Sequence, residues 1–311
     1  MLVKEQIAIR VGSLHRQRGR HMAEGIKAML FVLPALCFLA LFVYLPGLMA
    51  LVLGFFHYHL LGVQTTFAGL SNFHDALTYD VFWLALQHTI VFAVMLIPLT
   101  LVGALLIAFL LYEQSRFSSI IRTLILLPYI TPVIATSIGW LWLFNPEYGI
   151  LNAILKTLHL PVSQWLLSPT MALPSIVIYT LWHGLGFSTI ILLSSLSSIP
   201  TNVVDAARID GATSWQIFRR ITLPLISPTV FFLSIITMIG ALQAFASIFA
   251  LSGGSGGPEY ATTTLLFLIY ETAFQYYHFS YAAAMAFLLV LLILALTLLQ
   301  GWLSKKWVFY Q

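Results

Sequence analysis

Two groups of residues in this chain have the types and spacing to do chemistry, and neither is built to break a covalent bond. The first is the stretch 198–225, which carries Asp205, Ala206, Ala207, Arg208, Asp210, Gly211, Ala212, Arg219, Arg220, Ile221, Leu223 and Pro224. Its charges are suited to ion pairing, and its small residues let a sharp bend enter a narrow groove on another protein. The second group sits inside apolar sequence: Tyr179, Trp182, His183 and Phe187, then Gln243, Phe245 and Ser247. Aromatic faces stack on flat or ring-shaped ligands, while amides and imidazoles hydrogen-bond to polar groups. In a helix, 179, 182/183 and 187 fall on roughly one face, beside Gly184 and Gly186, which leave room there. Gln243 and Ser247 would likewise stand one turn apart. One cysteine, Cys37, excludes an intrachain disulfide and a cysteine metal cage. His57, His59 and His74 share one loop, but their spacing and neighbours suit interface residues better than a metal site.

The elements that must position these residues follow from composition. Of 311 residues, 60% are hydrophobic and 8% charged. A soluble domain carries about a quarter charged residues, so a cytosolic globular enzyme is excluded. Six stretches free of Asp, Glu, Lys and Arg are long enough to cross a bilayer as helices: 28–56, 84–111, 124–144, 171–193, 229–251 and 282–303. The first two are long, so tilt, or bending at Pro46 and Pro98, is expected. The fold class is therefore all-α, a polytopic membrane protein of six spans (domain 28–303), with a basic tail at 1–27 and a short C-terminal end at 304–311.

Thirteen of the 14 basic residues fall in the tail, the second and fourth loops and the C-terminal end; Lys156 alone falls in the first, third and fifth loops. The positive-inside rule then makes both termini cytoplasmic. The net charge of +4 is an orientation signal, and no nucleic-acid partner is expected. The tail reads as a segment lying on anionic lipid of the bilayer. The apolar run behind it far exceeds a signal-peptide core, so it reads as a retained anchor.

In the fourth loop, Pro200 suits the first turn of a helix running to Ile209–Asp210. Gly211 can take the left-handed cap that ends it. Thr213 and Gln216 form a capping box that opens a second helix, expected to end before Pro224. The product is a hairpin of two short helices. On capping and composition alone it either docks on a partner or lies on the membrane surface.

Asp205-Ala206-Ala207, Gly211 after three residues, and Ile221-x-Leu223-Pro224 after nine more resemble the EAA motif of the permease subunits of binding-protein-dependent ABC importers. The family usually has Glu at the first position; Asp205 keeps the charge with a shorter reach. Asn145–Asn152 resembles the carbohydrate-uptake, maltose- and glycerol-phosphate-permease-like branch, as do Gly256-Gly257-Pro258, Ala261–Leu265 and Ile269-Tyr270. The resemblance implies a type I importer fold, a second homologous permease in a heterodimer, a dimer of ABC ATPases, and an extracytoplasmic solute-binding protein. It places the chain in a bacterial or archaeal cytoplasmic membrane. The stretch 205–224 would be the coupling helix region, and ATP and Mg would be used by the partner ATPase, with no cofactor bound by this chain. In agreement, no Gly-x-x-x-x-Gly-Lys-Ser/Thr occurs, and the Gly253–Gly257 run lacks the phosphate-binding lysine.

The expected outside loops carry Asp75, Asp80, Glu147, Glu259 and Glu271 against Lys156, a surface that either docks the binding protein or is simply solvated. Residues 259–277 are expected to form a helix at the interface. Polar residues at bilayer depth either line a substrate path or bond neighbouring helices; Trp140 and Trp142 are equally suited to an interface belt. No span contains Lys or Arg, which favours a neutral sugar over glycerol 3-phosphate or a glycerophosphodiester. An ion-coupled carrier would show an intramembrane carboxylate or a filter, and a membrane enzyme paired carboxylates or a His-rich metal cluster.

Overall fold

The computed structural model describes residues 29–58, 65–112, 116–305 and 308. The basic tail 1–27, His59 and Lys306, and the side chain of Arg116, lie outside the described residues. The chain divides into two units, Met1–Leu53 and Gly54–Gln311. In the first, α1 (Met29–Leu53) is a single apolar helix. Its turn Ala40–Tyr44 is π-helical, with Leu45 N–H donating to Ala40 O five residues back. That wide turn stands two residues before Pro46, whose ring would otherwise strike the carbonyl four residues earlier.

The second unit opens on two paired strands, β1 (Phe56–His57) and β2 (Thr66–Phe67), with Phe56 opposite Phe67. There follow α2 (Ser71–Thr78), α3 (Asp80–Leu110), α4 (Arg116–Ile130) and α5 (Val133–Leu143). Next come α6 (Ile150–Thr157), α7 (Ala172–Ser197), α8 (Thr201–Ile209) and α9 (Ser214–Leu242). Last are α10 (Ala246–Leu251), α11 (Leu265–Gln275) and α12 (Phe279–Ser304). Among the described residues, five helices are long and apolar enough to cross a membrane, or six if the bent pair α4–α5 is one span.

α3 and α7 are the axis of the unit. Both are packed by α9, and α4 lies along α7. One buried cluster joins Phe92 and Leu96 of α3 to Ile176 and Tyr179 of α7 and to Met238, Leu242 and Ile248. A second joins Ala104 and Ala108 to Leu192, Leu196, Ile226 and Leu233. A third, around Phe82, Leu265, Leu268 and Met285, ties α11 and α12 to α3.

Two expected spans are not continuous helices. The stretch 124–144 belongs to α4 and α5, which meet at a bend of 102°. Proline explains it: Pro132 has no N–H to continue the ladder and sits in extended backbone (φ −58°, ψ 131°). The stretch 229–251 is broken at Gln243–Phe245, and α9 instead starts at Ser214. The second hairpin helix therefore does not stop before Pro224. It continues through it because the turn Phe218–Thr222 is π-helical, with Leu223 N–H donating to Phe218 O. This is the device seen before Pro46. The helix expected over 259–277 is shortened to Leu265–Gln275 and is largely buried rather than lying at an interface. Positive φ at Glu259, Tyr260 and Tyr277 breaks the helix on both sides.

The Asn145–Asn152 stretch builds a turn. Asn145 Oδ1 accepts from Glu147 and Tyr148 N–H at 2.9 and 3.2 Å. Buried Asn152 donates to Pro146 O and Ser163 O, each at 2.9 Å, and accepts from the Trp165 indole at 2.8 Å.

Gly186 and Gly184, both expected to leave room, differ. A Cβ at Gly186 would collide with the Ile125 carbonyl of α4, whereas Gly184 faces open space. Gly186→Ala should therefore lower the stability of the purified protein by about 2 kcal/mol, read as a fall in its thermal midpoint in detergent. Gly184→Ala should leave the midpoint unchanged; equal midpoints for both variants would refute the close α4–α7 approach.

Candidate functional site

The hairpin forms as its capping residues dictate. α8 begins after Pro200 and ends in a Schellman turn: Ala212 N–H donates to Ala207 O (2.9 Å) and Gly211 N–H to Arg208 O (3.0 Å). Gly211 sits at φ +81°, where a side chain would strain the backbone. Both halves of the Thr213–Gln216 capping box are present, with Thr213 N–H to Gln216 Oε1 at 2.8 Å.

Around the bend, Asp210, Gly211, Ala212, Gln216, Arg220 and Ile221 line a shallow recess of about 300 Å³. Asp205 and Arg208 pair across one helical turn at 3.4 Å, both largely exposed, so the pair adds little stability. Large apolar side chains also stand in solvent here: Val203, Ile209 at 87% exposed and Trp215 at 66%. Ala206 and Ala207 lie on α8, beside the bend. Leu223 and Pro224 do not close the hairpin; they lie within α9.

The expected path residues fall into two neighbourhoods at the two helix breaks, and these are joined by packing of α10 on α5. At the α4–α5 bend, side chains of α7 bond to backbone carbonyls at the break. Buried Tyr179 donates its hydroxyl to Val133 O at 2.8 Å and lies 2.8 Å from Thr136 Oγ1. His183 Nε2 lies 3.3 Å from Thr131 O. Phe187 stacks on Tyr129, centroids 4.5 Å apart and planes within 15°. Trp182 is partly exposed and packs on Trp140 at 5.3 Å. Trp140 itself packs against Phe144 and Tyr179 rather than standing free in a belt, while Trp142 is exposed.

At the second break, Gln243 ends α9 with its side chain exposed. Phe245 precedes α10 and packs on Tyr270 (4.7 Å) and Phe249 (5.5 Å). Ser247 is buried on α10. Gln243 and Ser247 are thus not one turn apart on a single helix, because the break intervenes. Buried Thr264 donates to Ala244 O at 3.1 Å, and Thr89 of α3 accepts Leu265 N–H at 2.8 Å.

Tyr129, Thr131 and Phe249 were not among the residues singled out from sequence, and Tyr270 was noted only for its family resemblance. The Pro128-x-x-x-Pro132 spacing was the available signal for the first two. Among the described residues no group of three or more His, Cys, Asp or Glu could hold a metal ion; His59 lies outside them.

Comparisons with known proteins agree with this architecture. Residues 100–308 match the family described as binding-protein-dependent transport system inner membrane component. The lactose transport system permease protein LacF of Rhizobium radiobacter is 33% identical over 90% of this chain and 95% of its own length. The sn-glycerol-3-phosphate transport system permease protein UgpA of Yersinia enterocolitica is 34% identical, covering 91% of this chain and 95% of its own. The trehalose/maltose transport system permease protein MalF of Thermococcus litoralis is 32% identical over 86% and 90%. In fold, the chain is similar to a chain of a bacterial alginate ABC transporter, solved in complex with a periplasmic protein bound to an alginate pentasaccharide. The TM-score is 0.80 at 22% identity, over 92% of this chain and 96% of that one. With its apolar helices and this match over two-thirds of its length, the chain is a multi-pass membrane protein that belongs to the binding-protein-dependent transport system inner-membrane component family.

Proposed function

We propose that this chain is a permease subunit of an ATP-driven importer and forms half of the translocation path for a neutral sugar. The observation that carries this reading is the capped hairpin with Ile209 and Trp215 held in solvent. Exposed large apolar residues on a charged, rigidly capped bend are the anatomy of a docking element. The occupant of that element is a separate ATPase, because the chain has no phosphate-binding loop of its own. ATP and Mg act there. Asp205, Arg208 and Arg220 supply charge around the contact, and Ala206, Ala207 and Ala212 let the bend enter a groove. Charge placement puts both termini and the hairpin in the cytoplasm, and the loops 57–83, 145–170 and 252–281 outside, where a solute-binding protein delivers the sugar. A second, homologous permease completes the path.

The path runs past the two helix breaks. Irregular backbone at membrane depth persists only where it is buried in protein or borders an aqueous cavity. Here it is flanked by partly exposed aromatic rings (Trp182, Phe187, Phe245), by the half-buried imidazole of His183 and by the exposed amide of Gln243. Tyr179 and Ser247 are buried and serve the packing of the breaks rather than a path. The similarity to UgpA supports a second reading, import of a glycerol phosphate. The scarcity of Lys and Arg in the spanning helices, where only Arg116 and Arg122 in α4 and Arg219 and Arg220 near the start of α9 occur among the described residues, weighs for the neutral sugar.

In proteoliposomes holding the complete transporter, Gly211→Val should lower ATP-coupled uptake about tenfold while the protein remains membrane-inserted, since the bend needs positive φ. Full coupling in this variant would refute the docking role of the bend. For the path, His183→Ala and Gln243→Ala should raise the half-saturating sugar concentration several-fold without changing the thermal midpoint. Tyr179→Phe should instead lower the midpoint by about 1 kcal/mol of stability, with the sugar dependence unchanged. Loss of assembly in the His183 and Gln243 variants would mean that these residues pack helices.

A further inference from the structure

Away from both breaks, α2, α11 and the start of α12 enclose a cavity of about 670 Å³. Glu271 lines it, only 7% exposed. Its one hydrogen-bond partner among the described residues is the Tyr276 hydroxyl, 3.4 Å from Oε1. The π-helical turn Glu271–Gln275 brings the two together, with Tyr276 N–H donating to Glu271 O. Asp75, also lining the cavity, has His74 at 3.7 Å and is mostly exposed. Tyr260 and Tyr281 add ring faces, and Tyr260 is held at φ +59°. Burial pushes the Glu271 carboxyl above the usual carboxylate range, and its charge in turn raises the Tyr276 hydroxyl.

A carboxylate this deep is ordinarily paired with a cation. The two imidazoles that line the cavity, His57 and His278, do not pair with Glu271 among the described residues, and a permanently charged side chain is missing. No Lys or Arg occurs between Lys27 and Arg116, or between Arg220 and Lys305, the stretches that build the cavity. The missing cation must come from another molecule. A buried carboxylate framed by tyrosine rings fits a guanidinium or ammonium group, which pairs with the one and stacks on the others.

We propose that this cavity is a socket for an Arg or Lys side chain of the solute-binding protein, which enters from the extracytoplasmic side and pairs with Glu271. The proposal rests on the importer reading above for its orientation and partner, and adds the anchoring contact. A cationic anchor entering a buried acidic site is the kind of contact that dominates an interface.

The test uses the complete transporter in nanodiscs with its binding protein, measuring the dissociation constant of docking from low to high salt. Glu271→Gln keeps shape and hydrogen-bonding capacity but removes the charge. It should weaken docking about 30-fold and flatten the salt dependence. Asp75→Asn, at the exposed mouth, should weaken docking only a few-fold. Copurification of the ATPase subunit with each variant reports correct assembly. Among Arg→Ala and Lys→Ala variants of the binding protein, one should lose most of its effect in the Glu271→Gln background, identifying the anchor. Equal docking and equal salt dependence in assembled Glu271→Gln would overturn the socket, as would a change confined to the sugar concentration dependence. A wild-type transporter that docks no binding protein would overturn the importer reading itself.

Discussion

A backbone amide or carbonyl inside hydrocarbon has no water to bond, so each must find a partner within the protein. The two helix breaks are where that constraint is hardest to meet, and the packing of the second unit is arranged around meeting it. Val133 O, at the start of α5 beside the 102° bend, accepts from hydroxyls of its own helix and from Tyr179 of α7. Ala244 O at the other break is met by Thr264 from the segment that leads into α11. That segment is itself fixed to α3 through Thr89. Thr264 and Thr89 thus hold α3, the break and α11 in one network, although each hydroxyl is an ordinary side chain in sequence.

The same constraint governs proline. Pro132 ends a ladder, while Pro224 does not, and the difference lies in the turn that precedes each. Phe218–Thr222 widens to a π-turn and leaves space for the ring; the turn ahead of Pro132 does not, and the chain bends. The α4–α7 contact is maintained close to this bend because Gly186 lets the Ile125 carbonyl reach the α7 backbone. Pro98 and Pro228 also lie within unbroken helix, so proline alone does not decide where a helix breaks.

Much of the architecture was legible in the sequence. Apolar runs give the spanning helices because their length exceeds anything a soluble core needs, and the hairpin is legible because Gly211, Thr213 and Gln216 act within a few residues of one another. Local interactions of that kind can be read without knowing the fold. The breaks were not legible from hydropathy, since Gln243–Phe245 and Thr131–Pro132 lie in sequence as apolar as the helices around them. What stabilises them, Tyr179 and Thr264, comes from far along the chain. The path candidates divided for the same reason: Tyr179 shares a helical face with His183, but the position of Val133 makes one a buried donor and leaves the other partly open. The cavity around Glu271 was visible only as acidic loop residues, because α2, α11 and α12 meet there across some 200 positions.

The unbroken course of α9 has a further consequence. From Ser214 to Leu242 it holds 29 residues, about 43 Å at 1.5 Å per residue. Each residue advances the helix by about 100°, so the direction in which Gln243 points is phase-locked to the capping box at Thr213. The π-turn at Phe218–Thr222 sets that phase by winding an additional residue into one turn. Side chains between the two ends can change with little effect on their mutual bearing, but the number of residues cannot. A single deletion would swing one end by more than a quarter turn against the other, which makes residue count, rather than residue identity, the tightly held property of this helix.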